Sequence, residues 1–474
     1  MRRTKIVATI GPASDDPEVL VRMVEAGMDV ARLNFSHGTR DEKARTANRI
    51  QEAADRAGRQ VAILQDLPGP KLRIGPLRDD VAELHAGDRL TLVCGSEEVG
   101  DASRMSVGWR GLASAVDSGE AGRVLYLADG SIRLRTQAVR EAECEVDLVV
   151  EIGGTVASRQ GLNIPGELVG LPAMPEEDLE LLRFGESLGV DLVALSFVRR
   201  AEDVTDVRRH TRLPLIAKIE KAQAVERAEE IIHAADCVMV ARGDLGIELR
   251  IEEVPMVQKQ VLALAGELAR PSITATQMLD SMVVSSRPTR AEVTDVANAI
   301  LDGTDALMLS QETAVGAHPV GAVEMMAAIA MRTERALPYQ RWNEQRVRRV
   351  ERGAGDAAYT VAYTACAAAR QLDLSALIVP TLSGRSARLI SAHRPDVPIL
   401  ALSPGKETVR RCGLMWGVAA ARMKRHEVTE ELIADAVSRS VELGWVERGE
   451  RVGVTAGLPS GRPGTTSLFQ VQEA

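Results

Sequence analysis

The chain has 474 residues, 45% of them hydrophobic and 26% charged, with a formal net charge of −9. This composition predicts a globular protein of two to four domains. Without a basic patch, nucleic acid is not an expected partner, and no apolar run reaches transmembrane length, so no membrane association is expected either. The chain opens directly into a strand without a signal-peptide core. Its five cysteines show no Cys-x-x-Cys pattern, which predicts reduced thiols, no zinc and a cytoplasmic location.

Strands and helices alternate along most of the chain, which predicts a parallel sheet. The apolar runs predict strands at 5–10, 29–35, 60–67, 191–197, 215–220, 237–242, 271–277 and 306–310. Helices are predicted between them, among others at 16–27, 40–57 and 221–235. Eight strands with intervening helices predict an α/β fold of the (β/α)8 barrel type, also called a TIM barrel, formed by residues 1–75 and 162–340.

The alternation is interrupted after the third strand. Residues 76–161 contain short alternating segments at 89–93, 123–127, 132–137 and 143–151, separated by turn formers and with little helical periodicity. They predict a small all-β insertion of barrel-like form. A polar linker at 337–353 then leads to residues 354–474, where a helix at 355–370, strands at 376–380, 399–402 and 451–455, and further helices predict a small open α/β domain.

The most informative stretch runs from Leu215 to Leu245. It contains two buried strands with a helix between them, and Lys218, Glu220 and Asp244 lie at the strand ends. Because Lys218 and Glu220 are two residues apart on one strand, their side chains leave on the same side. Two carboxylates beside one ammonium suit a divalent cation next to an anionic substrate. The alternative is a buried ion pair that closes the barrel mouth.

In a barrel of this type the chemistry lies at the carboxyl ends of the strands. Seven polar residues are predicted to meet there, from five strands: Arg32, Asn34, Asp66, Lys218, Glu220, Asp244 and Thr276. A lone threonine on a strand is usually structural, but seven such residues at one rim indicate a site.

Several motifs of the chain resemble those of the pyruvate kinase family. They are KIE at 218–220, ARGDLG at 241–246, ATQML at 275–279, NFSH at 34–37 with Arg32 just before it, and RPTRAE at 287–292. A further stretch, MLSQETA at 308–314, carries Gln311 where most members have glycine. Nearly the whole chain is covered by these resemblances.

The resemblance implies transfer of the phosphoryl group of phosphoenolpyruvate to ADP, giving pyruvate and ATP in the last step of glycolysis. It implies catalytic roles for Lys218, Thr276 and Arg32, with Lys218 stabilising the transition state. Glu220 and Asp244 would bind Mg²⁺ or Mn²⁺, and Gly243 and Asp244 would join the three catalytic residues in contacting the substrate. Nucleotide contacts are implied at Asn34, Phe35, Ser36, His37 and Arg73, under a lid formed by the insertion. In the lid, Gln160 stands where a lysine is common.

Many members of the family require K⁺. The resemblance implies a monovalent-cation position at Asn34, Ser36, Asp66 and Leu67, but Leu67 replaces a threonine there and Lys71 replaces an acidic residue. A tethered ammonium at Lys71 would supply the charge of the ion, so we expect that K⁺ is not required. The alternative is that Lys71 points to solvent at the lid hinge and the ion site still works.

The resemblance also implies regulation and assembly. The C-terminal domain would bind a phosphorylated allosteric effector, such as a sugar phosphate or nucleotide, and the chain would form a homotetramer. A phosphate cradle is predicted after the strand at 376–380, at Thr381, Ser383, Gly384, Arg385 and Ser386. The loop 457–466 is a second polar candidate.

Two other functions are compatible with parts of the pattern. A magnesium-dependent lyase acting on enolpyruvate-type substrates would use the same barrel, but it would not need the insertion with Arg73 at its base. A sensor that binds phosphoenolpyruvate without turnover would not need Lys218, Glu220, Asp244 and Thr276 together.

Overall fold

The computed structural model describes residues 1–117, 123–165, 174–337, 356–457 and 466–474. Nearly all of the predicted linker at 337–353 and most of the polar loop at 457–466 lie outside these residues. Among the described residues, no helix combines the length and the apolar character needed to cross a membrane.

Eight parallel strands close into a barrel, which confirms the predicted fold class. In chain order these strands are Lys5–Thr9 (β1), Val30–Asn34 (β2), Ala62–Asp66 (β3), Leu192–Leu195 (β12), Leu215–Ile219 (β13), Cys237–Ala241 (β14), Ser272–Ala275 (β15) and Ala306–Leu309 (β16). Their order around the barrel is β1-β16-β15-β14-β13-β12-β3-β2. The sheet is closed because β1 pairs with both β2 and β16.

Helices surround the barrel, and a few of them begin at a side chain that caps the first turn. They are Pro17–Ala26 (α1), Arg40–Arg56 (α2), Glu176–Ser187 (α4), Ala201–Arg208 (α5), Ala222–Glu226 (α6), Ala228–Ala234 (α7), Arg242–Glu248 (α8), Val254–Glu267 (α9), Arg290–Asp302 (α10), Gln311–Ala314 (α11) and Pro319–Glu334 (α12). Capping boxes start α2 at Thr39 and α10 at Thr289. The single helix predicted at 221–235 is wrong, because the backbone at Arg227 leaves the helical region and separates α6 from α7.

Two barrel strands end two residues earlier than predicted. Strand β12 stops at Leu195 and β15 stops at Ala275, although apolar and β-branched residues continue beyond both ends. Phe197, Thr276 and Gln277 have φ values of 58°, 69° and 52°, in the left-handed region that non-glycine residues avoid. Such backbone is found where the surroundings hold it in place, commonly at functional sites.

The insertion forms an all-β unit with its own apolar core. Six strands pair in the order β11-β7-β8-β9-β5-β6, and β10 pairs with β4. They are Val81–Leu84 (β4), Arg89–Cys94 (β5), Arg104–Val107 (β6), Val124–Leu127 (β7), Ile132–Arg140 (β8), Glu145–Ile152 (β9), Gly154–Ala157 (β10) and Leu162–Asn163 (β11). The four predicted segments form β5, β7, β8 and β9. The short strands β4, β6, β10 and β11, each of four residues or fewer, and the helix Leu112–Asp117 (α3) were not predicted.

The C-terminal sheet has five strands in the order β19-β18-β17-β20-β21. They are Ala376–Pro380 (β17), Ile399–Ser403 (β18), Val418–Arg422 (β19), Arg451–Gly457 (β20) and Thr466–Glu473 (β21), with helices Ala357–Gln371 (α13), Arg385–Ala392 (α14), Lys406–Arg411 (α15) and Thr429–Glu442 (α16). The prediction of helix alone between 402 and 451 is wrong. The alanine-rich β19 favours helix locally, but its pairing with β18 decides its conformation.

Buried arginines dock the C-terminal domain onto the amino-terminal face of the barrel. Arg394 pairs with Asp305 at 3.0 Å and stacks on Trp416 at 4.7 Å. Arg410 pairs with Asp191 at 2.8 Å. Because these aspartates directly precede β16 and β12, the C-terminal domain lies at the end of the barrel opposite the carboxyl ends of its strands.

Candidate active site

Lys218 lies at the centre of the carboxyl-terminal rim of the barrel. Its Nζ is 2.7 Å from Ser196 Oγ, 3.3 Å from Glu220 Oε2 and 3.5 Å from Asp66 Oδ1. The side chain is 12% exposed. An ammonium with a small accessible surface and three oxygen neighbours is held in one place while still reachable by a small ligand.

The electrostatics of the rim keep this lysine charged. Burial lowers the pKa of Lys218, but the carboxylates of Asp66, Glu220 and Asp244 raise it by more, so the pKa lies above its usual value. Burial also raises the pKa of Asp66, yet the charges of Lys218 and Arg32 outweigh burial and the net pKa lies below its usual value. Lys218 and Asp66 are therefore both ionised at neutral pH.

Glu220 has one engaged oxygen and one open oxygen. Its Oε1 accepts a hydrogen bond from the backbone N–H of Phe197 at 2.5 Å. Its Oε2 is buried and accepts no hydrogen bond in the described part of the chain, although Lys218 Nζ lies 3.3 Å away. Burial first, and then the charge of Asp244, raise the pKa of Glu220 to about 7 against the opposing effect of Lys218. Such a carboxylate gains stability from a cation at its open oxygen.

Asp244 is the second carboxylate and lies in the first turn of α8. Together with Glu220 it fits a divalent metal, since the open oxygen of Glu220 is a buried acceptor without a donor. The described residues contain no group of three or more His, Cys, Asp or Glu side chains that could hold a metal ion. A cation here would complete its coordination with water and substrate oxygens, as Mg²⁺ commonly does.

Arg32 joins the same network from the neighbouring strand. Its Nε donates to Asp66 Oδ2 at 2.7 Å, and one terminal nitrogen donates to Thr9 Oγ1 at 2.8 Å. Strands β2 and β3 are adjacent, with Arg32 beside Leu64 and Asn34 beside Asp66, so Arg32 reaches Asp66 diagonally across the strand pair. The Arg32 side chain is 12% exposed, and its charge acts on Lys218 as well as on Asp66.

Thr276 adopts a left-handed backbone directly after β15. Its Oγ1 accepts from the Gly243 backbone N–H at 2.8 Å and donates to Ala275 O at 2.6 Å. Arg242 holds this backbone by donating to Thr276 O at 2.7 Å, and it pairs with Asp295 at 2.7 Å. A Cβ on Gly243 would meet Thr276 at no less than 3.6 Å, so the protein alone does not require glycine there. The bare backbone instead leaves room for a ligand.

The residues expected to contact the nucleotide differ in how far their side chains are exposed. Asn34 and Ser36 form a local turn, with Asn34 Oδ1 accepting from the Ser36 backbone N–H at 3.1 Å. His37 is exposed, and its pKa is lowered by partial burial and then by the nearby charges of Arg73, Lys43, Lys71 and Arg32. Phe35 is buried in the core against Phe184, so its side chain does not face the rim.

The loop after β3 carries the predicted monovalent-cation position and the base of the lid. The side chain of Leu67 is 1% exposed and lies in the apolar core, so only its carbonyl is polar at this point. Lys71 packs against the lid: a Cβ built on Gly161 would lie 2.6 Å from its Cε and 3.3 Å from its Nζ. Arg73 donates to Arg159 O at 3.2 Å. Both cations therefore sit at the hinge between barrel and lid.

The other two departures from the resembled family, Gln160 and Gln311, lie outside the charged network. Gln160 contributes its backbone carbonyl to the hinge, where it accepts from the Ile74 N–H at 3.0 Å. Gln311 is the exposed first residue of α11.

The predicted phosphate cradle of the C-terminal domain is engaged in contacts of its own. Gly384 is left-handed and donates its N–H to Thr381 Oγ1 at 3.0 Å, and Ser383 Oγ accepts from the Arg385 N–H at 3.5 Å. Arg385 forms an ion pair with Asp356. Ser386 Oγ lies 2.5 Å from Thr466 Oγ1.

Sequence reasoning missed Ser196, Phe197 and Arg242, which contact the predicted site residues directly. Ser196 and Phe197 follow β12 immediately, so the rule that strand ends carry the chemistry would have found them. Arg242 is part of a motif that was recognised, but it was given no role.

Comparison with known proteins agrees with the fold. The family model for the pyruvate kinase barrel domain matches residues 1–323, and the model for the pyruvate kinase alpha/beta domain matches residues 359–472. A pyruvate kinase from Geobacillus stearothermophilus is 44% identical over 99% of this chain and 80% of its own length. One from Staphylococcus aureus is 41% identical with the same coverage.

A solved structure gives the same result in three dimensions. The crystal structure of a pyruvate kinase from Cryptosporidium parvum matches with a TM-score of 0.92 and 32% identity, over all of this chain and 96% of that one. The chain therefore belongs to the pyruvate kinase family, whose members use a divalent metal and transfer the phosphoryl group of phosphoenolpyruvate to ADP, giving pyruvate and ATP.

Proposed function

We propose that Glu220 and Asp244 bind the divalent metal of this reaction as Mg²⁺, with Mn²⁺ as a substitute. The observation that carries the proposal is the buried Oε2 of Glu220, which accepts no hydrogen bond within the described residues. The bound metal would neutralise phosphoryl charge and orient the substrate. The two carboxylates would leave its other positions to substrate oxygens and water.

Lys218 stabilises the charge that develops as the phosphoryl group leaves phosphoenolpyruvate. Its three oxygen neighbours fix the ammonium, and the surrounding carboxylates keep it protonated. A preorganised charge is most effective when it is partly buried, because water does not screen it. Lys218 therefore acts on both the transferring phosphoryl group and the enolate oxygen left behind.

Arg32 and the β15 exit hold the two ends of the substrate. Arg32 presents a guanidinium, which suits phosphate oxygens. The Gly243 N–H, Asp244 and Thr276 lie at the other side, where the N–H and the Thr276 hydroxyl are already 2.8 Å apart. Both groups could donate a hydrogen bond to a substrate oxygen instead. Because a hydroxyl is a poor acid near pH 7, Thr276 positions the water that protonates the enolate carbon rather than supplying the proton itself.

The nucleotide binds between the barrel rim and the lid. The turn at Asn34 and Ser36, the His37 ring and the Arg73 guanidinium line this side, and the cations that lower the pKa of His37 would attract the polyphosphate of ADP. Phe35 contributes through its backbone, since its side chain is buried.

The ammonium of Lys71 takes the place of K⁺. Leu67 has no side-chain oxygen to offer an ion, and its side chain lies in the core, so only Asn34, Ser36 and Asp66 remain as side-chain ligands. Lys71 lies at the hinge between barrel and lid. Its charge, like those of Arg73, Lys43 and Arg32, lowers the pKa of His37. Closure of the lid would bring its charge toward the phosphoryl group.

The remaining proposals concern regulation, assembly and location. Residues 1–75 and 162–340 are the catalytic unit, 76–161 the lid, and 354–474 the effector domain. A phosphorylated effector would bind at the loop of Thr381, Ser383, Gly384, Arg385 and Ser386. The protein would act as a homotetramer in the cytoplasm, where the glycolytic substrates are found.

A coupled assay tests the reaction and its metal together. Purified protein should form pyruvate from phosphoenolpyruvate only when ADP and Mg²⁺ are both present, and removal of the metal by a chelator should stop turnover. Pyruvate formation without ADP would favour a lyase instead. Binding of phosphoenolpyruvate without any product would favour a sensor.

A further inference from the structure

Ser196 lies between Lys218 and the loop after β3, and it is the uncharged one of the three oxygen neighbours of the Lys218 ammonium. Its Oγ accepts a hydrogen bond from Lys218 Nζ at 2.7 Å and donates one to Leu67 O at 2.7 Å. The residue is 7% exposed. The contact with Ser196 is the shortest that Nζ makes in the described part of the chain, so it sets the position of the ammonium more closely than the carboxylates at 3.3 and 3.5 Å.

The direction of the two hydrogen bonds follows from the chemistry of the groups. A serine hydroxyl has one proton, and a backbone carbonyl can only accept. The proton of Ser196 therefore points to Leu67 O, and a lone pair faces Lys218. Ser196 therefore acts on the ammonium by position and not by exchanging a proton with it.

The backbone around Ser196 is built to hold it in this place. A Cβ on Gly69 would lie 2.9 Å from Ser196 Cβ and 2.9 Å from Phe197 Cδ2, so the loop after β3 packs tightly onto the β12 exit. Phe197 is left-handed, and its N–H is 2.5 Å from Glu220 Oε1. After the end of β12, Ser196 thus holds Lys218 through its side chain, and Phe197 holds Glu220 through its backbone N–H.

We propose that Ser196 is a positioning residue for the reaction: its hydroxyl sets the place of the Lys218 ammonium relative to the transferring phosphoryl group. The inference rests on the proposed role of Lys218. A displacement of about 1 Å at a reacting group can cost about 100-fold in rate. Loss of the hydroxyl should therefore reduce turnover far more than it reduces substrate binding.

The test is a double-mutant cycle of Ser196→Ala and Lys218→Met on the full chain, read as kcat and KM for phosphoenolpyruvate. Alone, Ser196→Ala should lower kcat by about 10- to 100-fold and change KM less than threefold. In the Lys218→Met background it should cost less than threefold, because the group it positions is gone. Equal penalties in both backgrounds, or a loss below threefold in Ser196→Ala alone, would overturn the proposal.

Two further variants separate positioning from folding. Ser440→Ala removes another buried hydroxyl that donates to a backbone carbonyl, at 2.8 Å, and it should leave kcat within twofold. Ser196→Cys keeps the branching of the side chain with a slightly larger sulfur that is only a weak acceptor. It should lose at least threefold in kcat while its thermal unfolding stays close to that of the native chain, and full activity in Ser196→Cys would overturn the proposal. An unmodified chain that makes no pyruvate would contradict the proposed function itself, which is a different outcome from a failed cycle.

Discussion

Polar side chains follow strand ends in both the barrel and the C-terminal sheet: at the rim of the barrel, and in the loop after β17, which is the proposed effector loop (Thr381, Ser383, Gly384, Arg385 and Ser386). The two sets of side chains are satisfied differently. At the barrel rim, Lys218 and Arg32 share Asp66, and one oxygen of Glu220 accepts no hydrogen bond among the described residues. At the effector loop the hydroxyls of Thr381 and Ser383 accept from backbone N–H groups of the same loop. The Arg385 guanidinium pairs with Asp356, and the Ser386 hydroxyl with that of Thr466.

This difference separates a site that is ready for its ligand from one that must rearrange. The barrel rim holds its charges in place by burial and neighbouring strands, so binding costs little reorganisation. The effector loop would have to exchange internal contacts for those of the ligand. Binding there is therefore suited to regulation, since the exchange couples the ligand to a change of structure.

The largest expected effect is the loss of the central charge at the barrel rim. Lys218→Met keeps the side-chain volume and removes the ammonium, so kcat should fall by about 10²–10⁴-fold with a modest change in substrate binding. Steady-state kinetics measure this, and thermal unfolding checks that the variant is folded. Near-normal turnover would remove Lys218 from its role.

The second prediction concerns the cation at the hinge. With Mg²⁺ present and tetramethylammonium as the only monovalent cation, the native chain should turn over at nearly its full rate, since Lys71 supplies the charge. A tenfold or larger rise on adding K⁺ would contradict this.

The charge reversal at the same position sharpens that prediction. Lys71→Glu should lose activity in tetramethylammonium and regain part of it with K⁺, less than fully because Leu67 offers no side-chain ligand. Lys424→Glu, on the exposed surface of the C-terminal domain, is the matched control and should behave as the native chain.

A smaller effect is expected at the effector loop. The ion pair of Arg385 and Asp356 is about one-third exposed on each side, so it is weak. Asp356→Asn keeps the helix cap to the Ala358 N–H and frees Arg385. The concentration of a sugar phosphate or nucleoside monophosphate needed for half-maximal activation should fall by about two- to fivefold, because a surface pair contributes about 0.2–1 kcal/mol. Arg385→Ala should abolish activation and leave basal activity intact; full activation in that variant would place the effector elsewhere.

The smallest expected effect is on stability near the loop after β3. Asp178 accepts from the Gly69 N–H at 2.7 Å, and burial, followed by the charges of Glu177 and Asp66, raises its pKa to about 6. Because the folded pKa is raised, the stabilising contribution of the protonated form is full below pH 4 and is lost as the pH rises to 6. Asp178→Asn keeps an acceptor and carries no charge.

This variant should therefore be more stable than the native chain above pH 6, by about 2–4 °C in Tm. The advantage should shrink between pH 6 and pH 4. Thermal unfolding at several pH values measures it, and a difference that does not change with pH would contradict the assignment.

The sequence predicts the barrel well because its strands are buried on both faces. The run Cys237–Ala241 is apolar throughout, which is typical of a parallel strand that is buried on both faces. The alanine-rich strand β19 could not be predicted in the same way, since alanine favours helix and only the pairing with β18 makes it a strand.

The sequence offers candidate residues for the rim but not the geometry that joins them. The rule that chemistry lies at strand ends identifies Lys218 and Glu220. The left-handed backbone at Phe197 and Thr276 could not be predicted, because phenylalanine and threonine both favour extended strands. The hydrogen bond from Phe197 to Glu220 and the open oxygen of Glu220 exist only after that backbone is formed.

The open oxygen of Glu220 is what distinguishes the barrel rim from the effector loop, and metal binding tests it directly. Electron paramagnetic resonance of free Mn²⁺ measures binding to the native chain, to Glu220→Gln and to Glu177→Gln, an exposed carboxylate that serves as the control. We expect one tight site in the native chain and in the control, and a loss of at least about 100-fold in affinity in Glu220→Gln, since even outer contacts of metal ligands contribute about 10–100-fold. Equal affinity of Glu220→Gln and the native chain would contradict the assignment of the metal to this rim.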